Sequence, residues 1–301
     1  MMGSSVKKTL LASLFLVVVA AVITTSFLFW LFVFKEKKSV EKVSPEVVKE
    51  EVQNSKQAVI GTSVEGRNIE SYTFGTGDTN ILLVGGIHGG YEWNSVMLAY
   101  QFIDYYTANP KSVPENITLT IVPAANPDGV FAVTKKEGRF VVADTKNEDT
   151  SAGLGRFNAN KVDLNRNFAC KWQPKSSWKG NIVSAGTEAF SEPESKAIKS
   201  VVASLNPVAV IFFHSQAGAI YASECENGIL PMTRKVMNAY SLASGYKTID
   251  VFDSYQVTGD AEGWLASIGI PAITVELETH ETIQWEKNIA GVKAVLDYFK
   301  K

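Results

Sequence analysis

Cysteine, histidine and excess charge are scarce in this chain, and each scarcity excludes something. Two cysteines in 301 residues rule out a disulfide-dense miniprotein. Cys170 and Cys225 lie in distant segments, which permits one bridge without demanding it. Neither has a catalytic histidine close in sequence, which disfavours a thiol nucleophile. A net charge of −2 lacks the basic excess of a nucleic-acid surface, so no nucleic-acid partner is expected. No Gly-x-Ser-x-Gly elbow of a serine hydrolase is present. Internal repeats and low-complexity stretches are missing after Ala58. With 46% hydrophobic against 20% charged residues, the composition excludes disorder and suits one large core.

Charge is also missing from Thr9 to Phe34, a run of 26 residues with almost no polarity. At ~1.5 Å per residue a helix of that length exceeds the ~30 Å hydrocarbon core of a bilayer. A cleaved signal peptide has an apolar core of only ~7–15 residues, so residues 9–34 read as an uncleaved transmembrane anchor behind a short tail, residues 1–8. Lys7 and Lys8 precede the run, and Lys35, Lys37 and Lys38 follow it. The more basic C-terminal flank points to a cytoplasmic body, whereas a short tail starting with two lysines favours translocation of the large domain. The second arrangement is preferred, with the body outside the cytoplasm. Residues 35–57 mix both charges and lack aromatics, which reads as a stalk. Lysine is in surplus up to residue 57, so the body, 58–301, is mildly acidic.

In the body, Ile81–His88, Ala209–His214 and Ala272–Leu277 are short apolar runs of buried-strand length. Ile117–Pro123 is β-branched and partly alternating, which also predicts a strand. Helical patterns lie between them at Trp93–Tyr106, Glu192–Leu205, Met232–Ser244 and Thr282–Phe299. The second opens on Ser191-Glu-Pro-Glu194, the spacing of a capping box with proline in the first turn. Buried strands alternating with helices predict an α/β domain whose largely parallel or mixed central sheet is flanked by helices. Ligands gather outside the carboxyl ends of such strands, where His88, His214 and Glu276 would converge.

The chain has three histidines. His88 sits in Gly85-Gly-Ile-His-Gly-Gly-Tyr-Glu-Trp93, with Glu92 four residues on; alone, the pair is equally well explained by a polar glycine turn. His214 alone reads as a buried histidine satisfied by backbone. His280, in Glu276-Leu-Glu-Thr-His, reads as a surface or turn residue and receives no role. The pattern gains force when joined with Asn126-Pro-Asp-Gly129, Val162-Asp-Leu-Asn-Arg-Asn-Phe168 and Tyr255-Gln-Val-Thr-Gly-Asp260. From Gly61-Thr-Ser-Val-Glu-Gly-Arg67 to Glu276, in the same order, the chain resembles the zinc metallocarboxypeptidases of the carboxypeptidase A family, including bacterial murein peptide amidases.

The resemblance implies one zinc ion held by His88, Glu92 and His214, two histidines and a carboxylate with an open fourth position. It implies that Asp163 hydrogen-bonds a ligand histidine and fixes its tautomer. Glu276 matches the general base and acid, beside a water whose pKa zinc lowers to ~7. Arg156 matches the residue that stabilises the oxyanion with zinc. Asn165 and Arg166 would hold the substrate's terminal carboxylate, a guanidinium fork suiting a planar anion, and Tyr255 would close over it. Apart from the resemblance, Ala-Ile-Thr-Val-Glu-Leu places Glu276 in an apolar run, where an unpartnered charge is costly. One departure stands out: the family usually separates its first His and Glu by two residues, and here Gly-Gly-Tyr makes three.

Trp264 follows Tyr255 by the interval the family shows, which puts Glu262 at the floor of the side-chain pocket and Asp260 on its wall. An acidic pocket prefers Lys, Arg or the side-chain amine of diaminopimelate; the alternative is that both acids cap the following helix, with the pocket role favoured for Glu262 and the two roles level for Asp260. A Cys170–Cys225 bridge would brace the pocket rim. The expected activity is a membrane-anchored zinc carboxypeptidase acting on a peptide or muropeptide. Alternatives are a cell-wall peptide amidase acting at diaminopimelate and a non-catalytic peptide-binding domain. A zinc deacylase of small amino acids is disfavoured by Asn165, Arg166 and Tyr255.

Overall fold

Unbroken apolar strands need cover on both faces, and that requirement shapes this chain. The computed structural model describes residues 55–146, 148–253 and 255–301. At the centre of an eight-stranded sheet lie β3 (Thr79–Val84) and β7 (Ala209–Ser215), paired in parallel. β4 (Ile117–Val122) flanks β3 and β12 (Ala272–Leu277) flanks β7, both also parallel. An antiparallel hairpin, β1 (Lys56–Thr62) and β2 (Asn68–Phe74), extends the β4 side. On the other side β8 (Ala219–Ala222) runs antiparallel to β12, and β11 (Lys247–Ile249) pairs with β8 in parallel. The order is β1-β2-β4-β3-β7-β12-β8-β11, the mixed sheet expected. A second hairpin, β5 (Lys175–Trp178) and β6 (Asn181–Ser184), and a short pair, β9 (Glu224–Cys225) and β10 (Gly228–Ile229), stand outside it.

Period-two alternation divides the core between the two faces. Ile81, Leu83, Ile211 and Phe213 point into one cluster, packed with Val96, Phe102 and Tyr106 of α1 (Trp93–Ala108), Val236 and Tyr240 of α4 (Pro231–Ser244) and Val292 and Val295 of α6 (Trp285–Phe299). Leu82, Val84, Val210 and Phe212 point into the other, against Ile198 and Val202 of α3 (Pro193–Leu205) and Trp264 and Leu265 of α5 (Ala261–Ser267). Each fully buried Leu or Phe side chain contributes about 1.5–3 kcal/mol. On β12, Ile273, Val275 and Leu277 belong to the first cluster, so Thr274 and Glu276 face the side of α5. His214 follows the parity of Phe212 to that same side.

Several boundaries differ from the sequence reading. β3 ends at Val84 rather than at His88, because Gly86 turns the chain at φ +65°, where a Cβ would strike Val96. α6 starts at Trp285, not Thr282: the carbonyls of Thr279 and Thr282 are taken by Asn94 Nδ2, and Gln284 is left-handed. The capping box at Ser191–Glu194 does not form. Glu192 occupies the N-cap, Pro193 opens α3, and Ser195 Oγ bonds back to the Glu192 carbonyl. β1 starts at Lys56, two residues ahead of the expected domain start. Asn126 caps α2 (Pro127–Thr134) through Gly129 N, while Asp128 binds Ser63 Oγ and Arg67, tying the Gly61–Arg67 segment to the fold.

The tail, the anchor at 9–34 and nearly all of the stalk lie outside the described residues. No helix among the described residues is long and apolar enough to cross a membrane. Cys170 and Cys225 are bridged across a sequence separation of 55. A loop of that size is worth about 2–4 kcal/mol through the unfolded chain. Replacing both cysteines by serine should therefore lower Tm by roughly 5–15 °C, measured by thermal denaturation against the oxidised protein.

Candidate metal centre and substrate cleft

Parallel register sets β7 and β12 so that His214 and Glu276 are direct neighbours at the carboxyl ends of their strands. His88 reaches the same place from the turn after β3, and Glu92 from the end of the following short 3₁₀ turn, Gly89–Glu92. The extra residue between them is absorbed by glycine. Gly89 sits at φ +46°, and a Cβ there or on Gly90 would strike the backbone of Gly129 or Gly155. The loop thus packs flat, and Glu92 points inward, almost fully buried.

His88 Nδ1 lies 2.7 Å from Glu92 Oε1, His214 Nδ1 lies 3.0 Å from Glu92 Oε2, and the two ring nitrogens face each other at 3.2 Å. Two ring nitrogens converging with a buried carboxylate form a donor set able to hold one cation. Zinc bonds of about 2.0–2.2 Å in tetrahedral geometry place ligand atoms about 3.3 Å apart, so the donor set fits that ion with little adjustment. The charges agree. Against the opposing pull of burial, His88 and His214 hold Glu92 well below the usual carboxylate range. Burial would likewise lower His214, but Glu92 and Glu262 hold it well above its ordinary value.

Each ring turns its other nitrogen to a carboxylate. His88 Nε2 is 3.3 Å from Asp163 Oδ1, and His214 Nε2 is 3.3 Å from Glu262 Oε1. Such carboxylates favour a proton on Nε2 and leave Nδ1 free for metal. Asp163 also accepts from Arg156 Nε and Nη2, at 3.1 and 2.8 Å, and from Asn165 N. Burial opposes its charge, yet Arg156, Arg166 and His88 keep it well below the usual range. Arg156 Nη1 stands 3.7 Å from Glu92 Oε1, at the edge of the metal site.

A cleft opens from this centre, lined by Asn165, Arg166, Tyr255, Asp260, Glu262 and Glu276 among others. Asn165 Oδ1 accepts from Ala261 N, which leaves its NH2 as a donor. Arg166 spends Nη1 and Nη2 on the carbonyls of Asn165 and Ser177, while its buried Nε has no partner. Its guanidinium lies 6.0 Å from the Tyr255 ring. Asp260 caps α5 through Gly263 N, as one of its two expected roles. Glu262 lines the cleft as expected, but it also binds Thr274 Oγ1 and faces His214. Burial, followed by Glu92 and Glu262, pushes the Glu276 carboxyl up to about 8.

The structure brings together all eleven candidate residues and adds one that received no role. His280 bonds Ser215 Oγ through Nδ1 at 2.7 Å and meets the Tyr91 ring edge-on, next to the metal ligands. Its place four residues after Glu276, just past the end of β12, is the signal that could have located it. Glu262→Gln and Asp163→Asn should each weaken zinc binding about 10–100-fold, read by chelator competition. A pH effect follows from Asp260, which burial and then Glu262 raise from 3.8 to about 6. The folded protein holds a proton there that the unfolded chain has released, so stability falls as pH rises through that window. In the metal-free protein Asp260→Asn should flatten the fall, measured as Tm across the same range.

Comparison with known proteins agrees with this geometry. Residues 41–291 match the zinc carboxypeptidase family. A gamma-D-glutamyl-L-diamino acid endopeptidase 1 of Lysinibacillus sphaericus is 28% identical over 239 residues, 72% of this chain; the chain spans 59% of that relative's length. Murein-tripeptide amidase MpaA from Escherichia coli O157 superposes with a TM-score of 0.58 at 20% identity, covering 83% of this chain and 99% of that one. Bovine thrombin-activatable fibrinolysis inhibitor, in complex with a tick carboxypeptidase inhibitor, gives 0.63 at 21%, covering 82% and 90%. The chain belongs to the zinc carboxypeptidase family, and His88, Glu92 and His214 form a buried group able to hold its metal.

Proposed function

We propose that the protein is a membrane-anchored zinc peptidase acting outside the cytoplasm. It hydrolyses the amide bond ahead of a terminal diamino acid, and its substrate is the γ-D-glutamyl–diamino acid linkage of cell-wall peptides. The observation that carries this reading is the cleft itself. It is lined by the candidate carboxylate-binding donors Asn165 and Arg166, by the metal ligand His214, and by Glu276, Glu262 and Asp260. Terminal lysine or diaminopimelate presents a carboxylate and an ammonium together, and these two sets of groups complement them. Similarity to a gamma-D-glutamyl-L-diamino acid endopeptidase supports the choice of linkage. The apolar run at 9–34 supports the anchor, and the Cys170–Cys225 bridge suits an oxidising compartment.

His88, Glu92 and His214 would hold the zinc, which when bound polarises the scissile carbonyl and acidifies water. The Arg166 guanidinium and Asn165 Nδ2 would donate to the terminal carboxylate, and Tyr255 would cover it. Arg156 is locked by two N–H bonds to Asp163, which leaves Nη1 aimed at the carbonyl oxygen as charge develops there. Glu276 takes a proton from the attacking water and returns it to the departing amine. A carboxyl poised near neutrality suits both transfers, and a neighbouring cation draws it down from its metal-free value.

The test is incubation of the zinc-loaded protein with γ-D-glutamyl-L-lysine and γ-D-glutamyl-diaminopimelate peptides beside α-linked peptides ending in Lys, Arg, Leu or Glu, with products read by mass spectrometry. Chelator-sensitive cleavage of the γ-D-glutamyl bond is expected. Glu276→Gln should lower kcat by about 10²–10⁴-fold with zinc still bound. Removal of Lys or Arg from α-linked peptides alone would move the substrate to protein tails. Binding without cleavage would make the protein a binding domain.

A further inference from the structure

β5 passes beside both arginines of the proposed site. The carbonyl of Ser177 accepts from Arg166 Nη2, the ring of Trp178 lies 4.6 Å under the Arg156 guanidinium, and the hairpin turns at Lys179. A substrate with its terminal carboxylate at Arg166 and its scissile carbonyl at Arg156 continues toward Lys179. There Lys179 Nζ donates to Tyr91 Oη at 2.8 Å and lies 5.3 and 5.5 Å from the Trp178 and Tyr91 ring centres. Tyr91 packs edge-on against both Trp178 and His280. Tyr91 precedes the ligand Glu92, and Ser215, which holds His280, follows the ligand His214. Tyr91, Trp178, Lys179 and His280 do not line the cleft of Arg166 and Glu276.

A lysine over aromatic rings is often only a surface contact worth about 0.5–1 kcal/mol. Here the exposed Lys179 ammonium is oriented by its hydrogen bond to Tyr91 Oη, and no carboxylate pairs with it among the described residues. An oriented, unneutralised cation beside the acyl half of a substrate selects an anion. We infer that Tyr91, Trp178, Lys179 and His280 form an anion subsite on the acyl side of the metal, and that its occupant is the free α-carboxylate of a γ-linked D-glutamyl residue. Linkage through the side chain leaves that carboxylate unreacted, a short methylene chain from the scissile carbonyl. The identity of the occupant rests on the proposed function; the anion preference does not.

The test compares γ-D-glutamyl-L-lysine with its α-carboxamide, γ-D-isoglutaminyl-L-lysine, on the zinc-loaded full-length chain. At least tenfold higher kcat/KM for the acid is expected, about 1.4 kcal/mol. Lys179→Met, which keeps the apolar stem over the rings, should shrink that ratio below about threefold, and Lys179→Arg should restore it. A loss of stability alone would not change the ratio. Equal rates on acid and amide, or an undiminished ratio in Lys179→Met, would overturn the inference. Binding to Glu276→Gln, followed by tryptophan fluorescence, separates the two claims. Acid-selective binding without turnover in the wild type sinks the proposed reaction and leaves the subsite standing. Absence of binding to both γ-linked ligands removes the occupant. Preference for Glu over Gln ahead of the bond in α-linked peptides, lost in Lys179→Met, would then assign the subsite to acidic peptides instead.

Discussion

One buried carboxylate holds the reaction centre in register. Asp163 has no solvent exposure, and it touches the metal ligand His88, the guanidinium of Arg156 and the backbone of the turn that presents Asn165 and Arg166. Three functions that come from separate stretches of chain are thereby set at fixed distances from one anion. Its removal leaves Arg156 and His88 buried without their countercharge, a loss of about 3–5 kcal/mol in comparable pairs. The remainder of the fold serves to deliver partners to it. β7 and β12 bring His214 and Glu276 in parallel register, and the glycine turn after β3 brings His88 and Glu92.

The second carboxylate, Glu262, does for His214 what Asp163 does for His88, and it does so from the substrate cleft. In the proposed reading, recognition and metal binding therefore share a side chain. The carboxylate proposed to receive a substrate ammonium also faces the imidazole of His214, so neither property can be altered alone at that position. Asp260 beside it is tied to the helix start, and burial, followed by the neighbouring Glu262, raises its pKa.

Much of this was legible in the sequence, for identifiable reasons. Buried strands write their parity directly into the chain, so the runs ending at His214 and Leu277 located two reacting groups at one sheet edge. The resemblance carried Asp163, Arg156 and Asn165 onto positions that the structure then brought together. What escaped had no periodicity to show it. Trp178 and Lys179 sit on a small hairpin outside the main sheet, Tyr91 hides in a glycine turn, and His280 belongs to a loop whose carbonyls are claimed by Asn94. That same claim is why the last helix starts later than its apolar pattern suggests. The pairing of Glu262 with His214 is purely tertiary; local sequence offered a cap or a pocket wall, and no spacing points across the sheet.

β1 is the outermost strand, largely exposed, and it is where the chain enters the described fold. Tension applied upstream of Lys56 meets the β1–β2 hydrogen bonds before any others. The strands that carry the reacting groups lie farther across the sheet, beyond β4 and β3. The edge hairpin thus acts as a mechanical fuse: a pull on the chain peels a peripheral strand while the catalytic geometry stays unloaded.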